Sequence, residues 1–424
     1  GNTSFDMPAK KSFGVSIDAF DDDLRIDGFR TLNLLNANGD DSVMREVLFS
    51  NIASEYMPAP KANFVRVVVN GVYLGIYANV QQINKDFTRE HYGSKKGVRW
   101  KVPPDFSGGA ALTYHGDNID DYRDRYELKA NSATDEDWAD LVELCKVLRE
   151  TPDDELEETL PRYLDIHETI RFLAIDNAFL DSDGYYSRGS DYYIYKAPDG
   201  AFHLLHYDNN ETFGGGHGAG PGGRGGRGGG PPGFGPDGEP GGPGGGPPDF
   251  GPGGPGGRPN VDEDSPQTPR AQQGQRQTQD GRRGNRRRPG GPGGPGGPGG
   301  GGQGGGMTQS PLAFEKDIDT RPLITRILAV EAWREEYLDV LRDLAIVELD
   351  WAILGARVDQ YRKLIERDVV RDPFLGDRER FLKSLYGNEA SLKSIAAERR
   401  KFLLNHEALK QPEPERRSES GASK

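Results

Sequence analysis

The sequence has little cysteine and no long apolar run. Cys145 is the only cysteine, which excludes a disulfide within the chain. It belongs to a set of apolar residues at helical spacing, which predicts an inert thiol in a helix core. No stretch of 18 or more apolar residues occurs, and the mean hydropathy is −0.73, so the sequence predicts no membrane-spanning helix.

Glycine and proline are scarce outside one segment. Residues 214–306 contain 41 of the 59 glycines and 17 of the 30 prolines. These glycines keep no sustained Gly-X-Y period, which excludes a collagen triple helix. The segment has too few apolar residues to offset chain entropy, so we predict that it is a disordered insertion, and that the polar tail at 409–424 is disordered too. About 330 residues remain, enough for one large or two small cores.

Charge is also uneven. The formal net charge is −14, whereas residues 214–306 carry ten arginines, no lysine and seven acidic residues. The rest of the chain is therefore strongly acidic, which argues against a nucleic-acid partner and favours basic polypeptides or metal-bound anions. The Gly-Arg tract of the insertion keeps an RNA-binding role open, but aromatic residues are sparse there, and we favour a tethered linker or a self-substrate.

Strand patterns dominate the first part of the chain. Runs rich in β-branched and aromatic residues predict strands that begin at Phe13, Thr31, Phe64 and Val72. The last two flank Asn70-Gly71, a pair that accepts the positive φ values of a type I′ turn, so a hairpin is predicted there. A second hairpin is predicted over 191–207, around Pro198-Asp199-Gly200.

Helical spacing of apolar residues marks the remaining elements. It predicts helices over 43–56, 135–150, 165–180, 321–330, 332–344, 347–366 and 377–383. Asp40-Asp41-Ser42 offers an N-cap for the first of them. The order is β-rich and then helical, with one hairpin among the helices, and it predicts an α+β fold.

Polar residues that can carry chemistry concentrate between Leu180 and Phe213. Asp183 lies at the start of a loop, Asp191 at the start of a predicted strand and Asp208 just after the next strand. Carboxylates brought together at such positions repel each other unless a cation lies among them, and oxygen ligands suit Mg²⁺, Mn²⁺ or Ca²⁺ better than zinc. A plain turn role for Asp183 and Asp208 remains the alternative.

Several motifs together resemble one family. They are Gly1-Asn-Thr-Ser with Pro8-Ala-Lys-Lys11-Ser-Phe, Leu32-Asn-Leu-Leu followed by Arg45-Glu46, Val69-Asn-Gly-Val-Tyr-Leu-Gly-Ile-Tyr77, Arg99-Trp-Lys101, Tyr126-Glu-Leu-Lys129, Asp183-Gly-Tyr185, Tyr192-Tyr-Ile-Tyr195 and Tyr207-Asp-Asn-Asn-Glu-Thr-Phe-Gly214. In this order and spacing the chain resembles the CotH-type atypical protein kinases, named for a spore-coat protein. The resemblance covers nearly all of the chain except the insertion and the tail.

The resemblance implies an atypical kinase-like fold of two lobes that holds ATP and Mg²⁺, or Mn²⁺, between them. It places the β-rich N-lobe at about 1–130 and the helical C-lobe at about 131–213 plus 307–408, with residues 214–306 as the insertion. Phosphoryl transfer in such a cleft needs an aligned hydroxyl, a base and metals that neutralise the phosphates.

The family motif assigns roles to four residues. It implies that Asp183 is the catalytic base and that Asp208, Asp191 and Asn210 bind the metal. Family members usually have Asn at the position of Asp191 and Asp at the position of Asn210. These two departures exchange charge between neighbouring ligand positions, and the sequence does not determine whether they compensate for each other.

The ATP contacts are less sharply defined. Either Lys11 or Lys101 would contact the phosphates, with Glu46 holding the ammonium group, and Tyr207 would stack on adenine. A solvated strand-edge lysine and a core aromatic remain the alternatives. We interpret His203 and His206 as packing or site-lining residues rather than zinc ligands.

The insertion begins where a kinase-like chain enters its activation segment. It contains Ser265, Thr268 and Thr278, and Thr308 and Ser310 follow it. We therefore predict a regulatory or autophosphorylated lid beside the active site.

The sequence thus predicts an exported or cell-envelope kinase that phosphorylates Ser or Thr of a protein partner, such as a basic coat protein, or of itself. A structural scaffold that keeps the fold without turnover, and nucleotidyl transfer from ATP, are the alternatives.

Overall fold

A computed structural model describes residues 10–104, 109–129, 133–214 and 308–410 of the chain. The predicted disorder therefore concerns residues that lie outside this description, except for the first residue of the insertion and the first two of the tail. In that tail Leu409 is buried at the end of a short 3₁₀ turn.

The described residues form a mixed α+β structure. The strands are β1 Phe13–Ser16, β2 Thr31–Leu35, β3 Ala62–Val69, β4 Val72–Val80, β5 Val98–Val102, β6 Glu127–Leu128, β7 Tyr192–Lys196 and β8 Phe202–His206. The helices are α1 Arg45–Ala53, α2 Lys85–Tyr92, α3 Asp120–Arg123, α4 Asp135–Glu150, α5 Leu156–Thr159, α6 Ile166–Phe179, α7 Tyr185–Arg188, α8 Pro322–Ala329, α9 Glu331–Ile346, α10 Trp351–Arg371, α11 Arg378–Tyr386 and α12 Leu392–Asn405. In this part of the chain no helix is both long and apolar enough to cross a bilayer.

The strands form two antiparallel sheets of four. The first has the order β1-β2-β4-β3, and the second has the order β6-β5-β7-β8. Both predicted hairpins are confirmed. At the tip of the first, Asn70 and Gly71 have φ values of 50° and 81°, as a type I′ turn requires.

Helix α1 packs on β3 and β4 and reaches the turn at Asn209–Glu211, so the first sheet and the end of β8 meet across it. Helix α6 packs on β8 and on α9. Cys145 is buried within α4, as the sequence predicts. These contacts place the start of α1 beside the segment that follows β8.

Residues beyond the insertion support residues before it. The guanidinium of Arg399, on α12, is fully buried and donates to Asn177 O at 2.9 Å and to Asn177 Oδ1 at 2.7 Å. Arg321, just before α8, donates to Ser187 O at 2.7 Å. The segment after the insertion therefore holds the end of α6 and the short helix α7 in place.

Candidate functional site

The register of β7 and β8 brings two candidate carboxylates together. Tyr192 pairs with His206, so the residue before β7 and the residues after β8 lie at the same edge of the second sheet. Asp191 and Asp208 occupy these positions. Both have left-handed backbone conformations, with φ values of 51° and 61°. Asp tolerates the left-handed conformation better than most residues. This conformation is nevertheless rare in residues other than glycine, and such residues concentrate at functional sites.

Asp191 is buried beside other acidic groups. Burial, followed by the negative charge of Asp208, raises the pKa of Asp191 to about 7, while Lys101 opposes the shift. Its Oδ1 atom is buried and has no hydrogen-bond donor among the described residues. A buried carboxylate oxygen without a partner is costly, so a cation at this place would relieve both the repulsion and the missing contact.

Glu46, in the first turn of α1, faces the same edge. Asn209 Nδ2 donates to Glu46 Oε1 at 3.3 Å, and burial together with the Asp208 charge raises the pKa of Glu46 to about 8. Glu46 Oε2 and Asn209 Oδ1 are buried without a hydrogen-bond partner in the described part of the chain. The sequence predicts Glu46 as the partner of a lysine, and the structure places it against Asp208 and Asn209.

Lys101 projects from β5 toward this group. Its Nζ lies 4.2 Å from the centroid of the Tyr207 ring, and its charge acts on Asp191. Tyr207 also contacts Tyr193 edge to face, with ring centroids 5.2 Å apart. Lys101 and Tyr207 therefore lie at the cleft together, with one face of the tyrosine ring covered by the ammonium group.

The other lysine candidate, Lys11, lies next to the first sheet, whereas Lys101 belongs to the second sheet. Lys11 is partly buried just before β1. Its neighbour Lys10 is the buried one, and Lys10 Nζ lies 2.8 Å from Asp372 Oδ2 and donates to Ile76 O at 2.8 Å.

Asn210, the third predicted metal ligand, is the middle residue of the 3₁₀ turn Asn209–Glu211, which begins directly after Asp208.

Asp183 lies in a tightly held loop. Its carboxylate forms an ion pair with Arg188, its backbone N donates to Asp181 Oδ1 at 3.2 Å, and its carbonyl accepts from Ser190 Oγ at 3.0 Å. The side chain is 17% exposed. A carboxylate that is oriented by an arginine and open to solvent on one side can meet an incoming hydroxyl.

Two buried carboxylates under this loop were not predicted. A Cβ atom on Gly184 would lie 2.5 Å from Asp176 Oδ1 and 2.8 Å from Asp181 Oδ2, so only glycine fits there. Asp176 Oδ2 accepts from Tyr186 N at 2.7 Å, and Asp181 O accepts from Ser187 Oγ at 2.6 Å. The signal was present in the sequence, because Asp176 interrupts the apolar helix α6.

The predicted cation ligands Asp191, Asp208 and Asn210 are not the metal-binding side chains that lie closest together in the described residues. In the described residues the group of three or more metal-binding side chains whose ligand atoms lie within 4.8 Å of one another is Asp165, Glu168 and His203, at a different place. Around Asp191 and Asp208, buried oxygens without a hydrogen-bond partner in the described residues belong to Asp191, Glu46 and Asn209. This oxygen-only donor set fits Mg²⁺ or Mn²⁺, which bind carboxylate and amide oxygens.

Comparison with known proteins gives one finding. A family model described as "CotH kinase protein" matches residues 1–239, which is more than half of the chain and includes Asp183, Asp191 and Asp208. No curated protein matches the chain.

Proposed function

Because the chain belongs to the CotH kinase protein family, we propose that it is a protein kinase that transfers the γ-phosphoryl group of ATP to Ser or Thr of a protein partner or of itself. The observation that carries this proposal is that Asp191 and Asp208 lie at the same end of the β7–β8 hairpin, where the charges of Asp208 and Lys101 act on Asp191. In this proposal the first sheet with α1 forms the N-lobe and the helices around α6 form the C-lobe of a kinase-like fold.

The metal would be held by Asp208 and Asp191, with Asn210 as a neutral third ligand. Mg²⁺ held by these residues would supply positive charge that offsets the negative charge of the ATP phosphates. The two carboxylates lie at one end of the β7–β8 hairpin, and the burial of Asp191 reduces the screening of charge there. Glu46 adds a further oxygen on the α1 side, since Asp208 and Asn209 are its neighbours.

Asp183 would accept the proton of the substrate hydroxyl. Arg188 holds its carboxylate in one orientation, and the backbone contacts to Asp181 and Ser190 fix the loop. A carboxylate held in this way could take the proton of a hydroxyl group within hydrogen-bond reach. Asp176 and Asp181 act through the loop that they support, as positioning residues.

Lys101 would contact the phosphates. It is the lysine whose charge reaches Asp191, and the Tyr207 ring restrains its ammonium group. With the ring face covered in this way, Tyr207 supports Lys101, and an adenine would have to replace or share that contact. Lys11 remains the second candidate, near the start of β1.

The substrate and the compartment are further parts of the proposal. The acidic charge outside residues 214–306 favours a basic protein substrate, such as a coat protein. The exported or cell-envelope location is proposed from the family resemblance alone. Autophosphorylation at Ser265, Thr268 or Thr278 concerns residues outside the described part. Thr308 and Ser310 are described, and Ser310 Oγ lies 3.3 Å from His406 Nε2.

Labelled ATP tests this proposal directly. The full chain is incubated with Mg²⁺ and ATP that carries the label at the α or the γ position, with and without a basic protein such as histone. We expect label from γ-labelled ATP on serine or threonine, located by mass spectrometry. Label from the α position would indicate nucleotidyl transfer, and no label on any protein with intact ATP binding would indicate a scaffold; both results would contradict the proposal.

A further inference from the structure

A second group of metal-binding side chains lies away from the Asp191–Asp208 edge. Asp165 is the N-cap residue of α6, Glu168 is in the first turn of that helix, and His203 is in β8. One ligand atom from each of them lies within 4.8 Å of the other two. His203 is five residues before Asp208, a separation of roughly 16 Å along an extended strand, so this group is distinct from the kinase site.

The backbone fixes this arrangement. Asp165 N donates to Phe202 O at 3.3 Å, and Leu164 forms a parallel bridge with Phe202. The start of α6 is therefore attached to the start of β8. Because side chains alternate along a strand, His203 points to the opposite face from Phe202, and α2 contributes Tyr92 on that side.

The contacts within the group are hydrogen bonds whose distances are also compatible with a shared metal ion. His203 Nδ1 lies 3.2 Å from Glu168 Oε2, a separation close to the 3.0–3.4 Å or so between adjacent ligands on a metal with bonds of about 2.1 Å. Tyr92 Oη donates to Glu168 Oε1 at 2.6 Å, and Asp165 Oδ1 accepts from Glu168 N at 2.9 Å. The first bond holds the Glu168 carboxylate beside the imidazole, and the second holds Asp165 at the start of α6.

Burial and access also suit an ion. Glu168 and His203 are each 8% exposed, while Asp165 is exposed and opens the group to solvent. A second imidazole, that of His91 on α2, lies within range of the Glu168 charge. The Nε2 atom of His91 is buried and has no hydrogen-bond partner among the described residues.

We propose that Asp165, Glu168 and His203 bind a divalent first-row transition-metal ion, with Zn²⁺ as the best match. One imidazole and two carboxylates are ligands that zinc accepts at three positions, with water at the fourth, and imidazole is a poor ligand for Mg²⁺ or Ca²⁺. The ion would link α6 to β8 and so stabilise the hairpin that carries Asp191 and Asp208 at its other end. His203 then has a role beyond the packing that the sequence predicts for it.

The competing explanation is a metal-free hydrogen-bonded triad of Tyr92, Glu168 and His203. A metal site and a triad differ in their use of Asp165. The triad does not need the negative charge of Asp165, whereas a metal site loses a charged ligand when this charge is removed.

The test uses the full chain, stripped with a chelator and then titrated with ZnCl₂ by calorimetry. Asp165→Asn removes the charge but keeps helix capping, since Asn is as good an N-cap as Asp. Asp377→Asn, at the N-cap of α11, is the matched control. We expect wild type and Asp377→Asn to bind one Zn²⁺ with equal affinity and Asp165→Asn to bind it at least tenfold more weakly, with a matching loss of the zinc-dependent rise in Tm.

Two further variants separate this site from the kinase site. His203→Gln should lose the same Zn²⁺, and Asp208→Asn should retain it. The proposal is overturned if the wild type binds no Zn²⁺, if Asp165→Asn and His203→Gln bind it as the wild type does, or if the bound Zn²⁺ disappears in Asp208→Asn alone. Because Zn²⁺ binding is measured without ATP, this outcome is independent of whether the protein is an active kinase.

Discussion

Lys10 Nζ and Asp372 Oδ2 lie 2.8 Å apart, although 362 residues separate them in the sequence. Asp372 is fully buried and also accepts from Ile76 N at 2.9 Å, beside Gly75, where a Cβ atom would lie 2.0 Å from Asp372 Oδ2. Burial lowers the pKa of Lys10, and the Asp372 charge opposes this. The segment after α10 lies beyond the residues that the family model matches, and through Asp372 it contacts β4 of the first sheet.

Removing Lys10 should be costly. Lys10→Met leaves the Asp372 carboxylate buried without its counter-ion, and breaking a buried pair in this way costs about 3–5 kcal/mol. Urea unfolding measures this loss. Lys11→Met is the matched control, since Lys11 is the adjacent and less buried lysine, and we expect it to cost less than about 1 kcal/mol. Equal losses in the two variants would mean that the ion pair does not stabilise the fold.

Gly184→Ala tests the support of the Asp183 loop. The added methyl group would overlap the carboxylates of Asp176 and Asp181, so the loop must shift, at a cost of about 1–3 kcal/mol. We expect phosphoryl transfer to fall by at least about tenfold, because small displacements of reacting groups are expensive. Gly14→Ala is the control, as a Cβ atom at that position meets nothing within 4 Å. Unchanged kinetics in Gly184→Ala would contradict the positioning role.

Stability should depend on pH through Glu46. Its pKa is raised to about 8, whereas a glutamate in the unfolded chain titrates near 4.3, so the folded protein binds more protons between these values. The free energy of unfolding should therefore fall as pH rises through this window, by up to about 1.4 kcal/mol per pH unit.

Glu46→Gln removes this titration and keeps an oxygen that can accept from Asn209. Urea unfolding in EDTA at about pH 5.5 and about pH 8 should show a smaller difference for the variant than for the wild type. Identical pH dependence in both proteins would exclude a shifted Glu46 as the cause.

Asp183→Ala should reduce phosphoryl transfer by on the order of 10³-fold, because it removes both the base and the group paired with Arg188. Tm should change little, since the loop keeps its backbone contacts. Asp120→Ala, at an exposed position of α3, is the control. Activity within about twofold of the wild type in Asp183→Ala would assign the base to another residue.

Local signals predicted much of the fold. The Asn-Gly hairpin, α4 and the strands of the second hairpin lie where turn chemistry and periodicity place them. Helix α12 was missed, although the Ser391 capping box and the spacing of Leu392, Ile395 and Leu403 indicate it. The start of α1 was placed slightly early. The helix begins at Arg45 with Met44 as its N-cap residue, so the predicted N-cap within Asp40-Asp41-Ser42 is wrong, although Arg45 N donates to Asp40 Oδ2.

The site was predictable only in part. Motif order indicated Asp183, Asp191 and Asp208, and strand register explains why the last two meet. Pairings such as Lys10 with Asp372 depend on tertiary packing of segments far apart in the chain, which periodicity does not encode. For the same reason the sequence assigned Glu46 to a lysine, while packing of α1 against the turn after β8 puts it beside Asp208.

The central claim is that the edge formed by Asp191 and Asp208 binds ATP through a divalent cation. Calorimetric titration of the full chain with Mg²⁺ and ATP together tests it most directly, with Asp208→Asn beside the wild type. We predict that the wild type binds one nucleotide only when Mg²⁺ is present, and that Asp208→Asn binds it at least tenfold more weakly. Absence of binding, or equal binding with and without Mg²⁺ in both proteins, would contradict it.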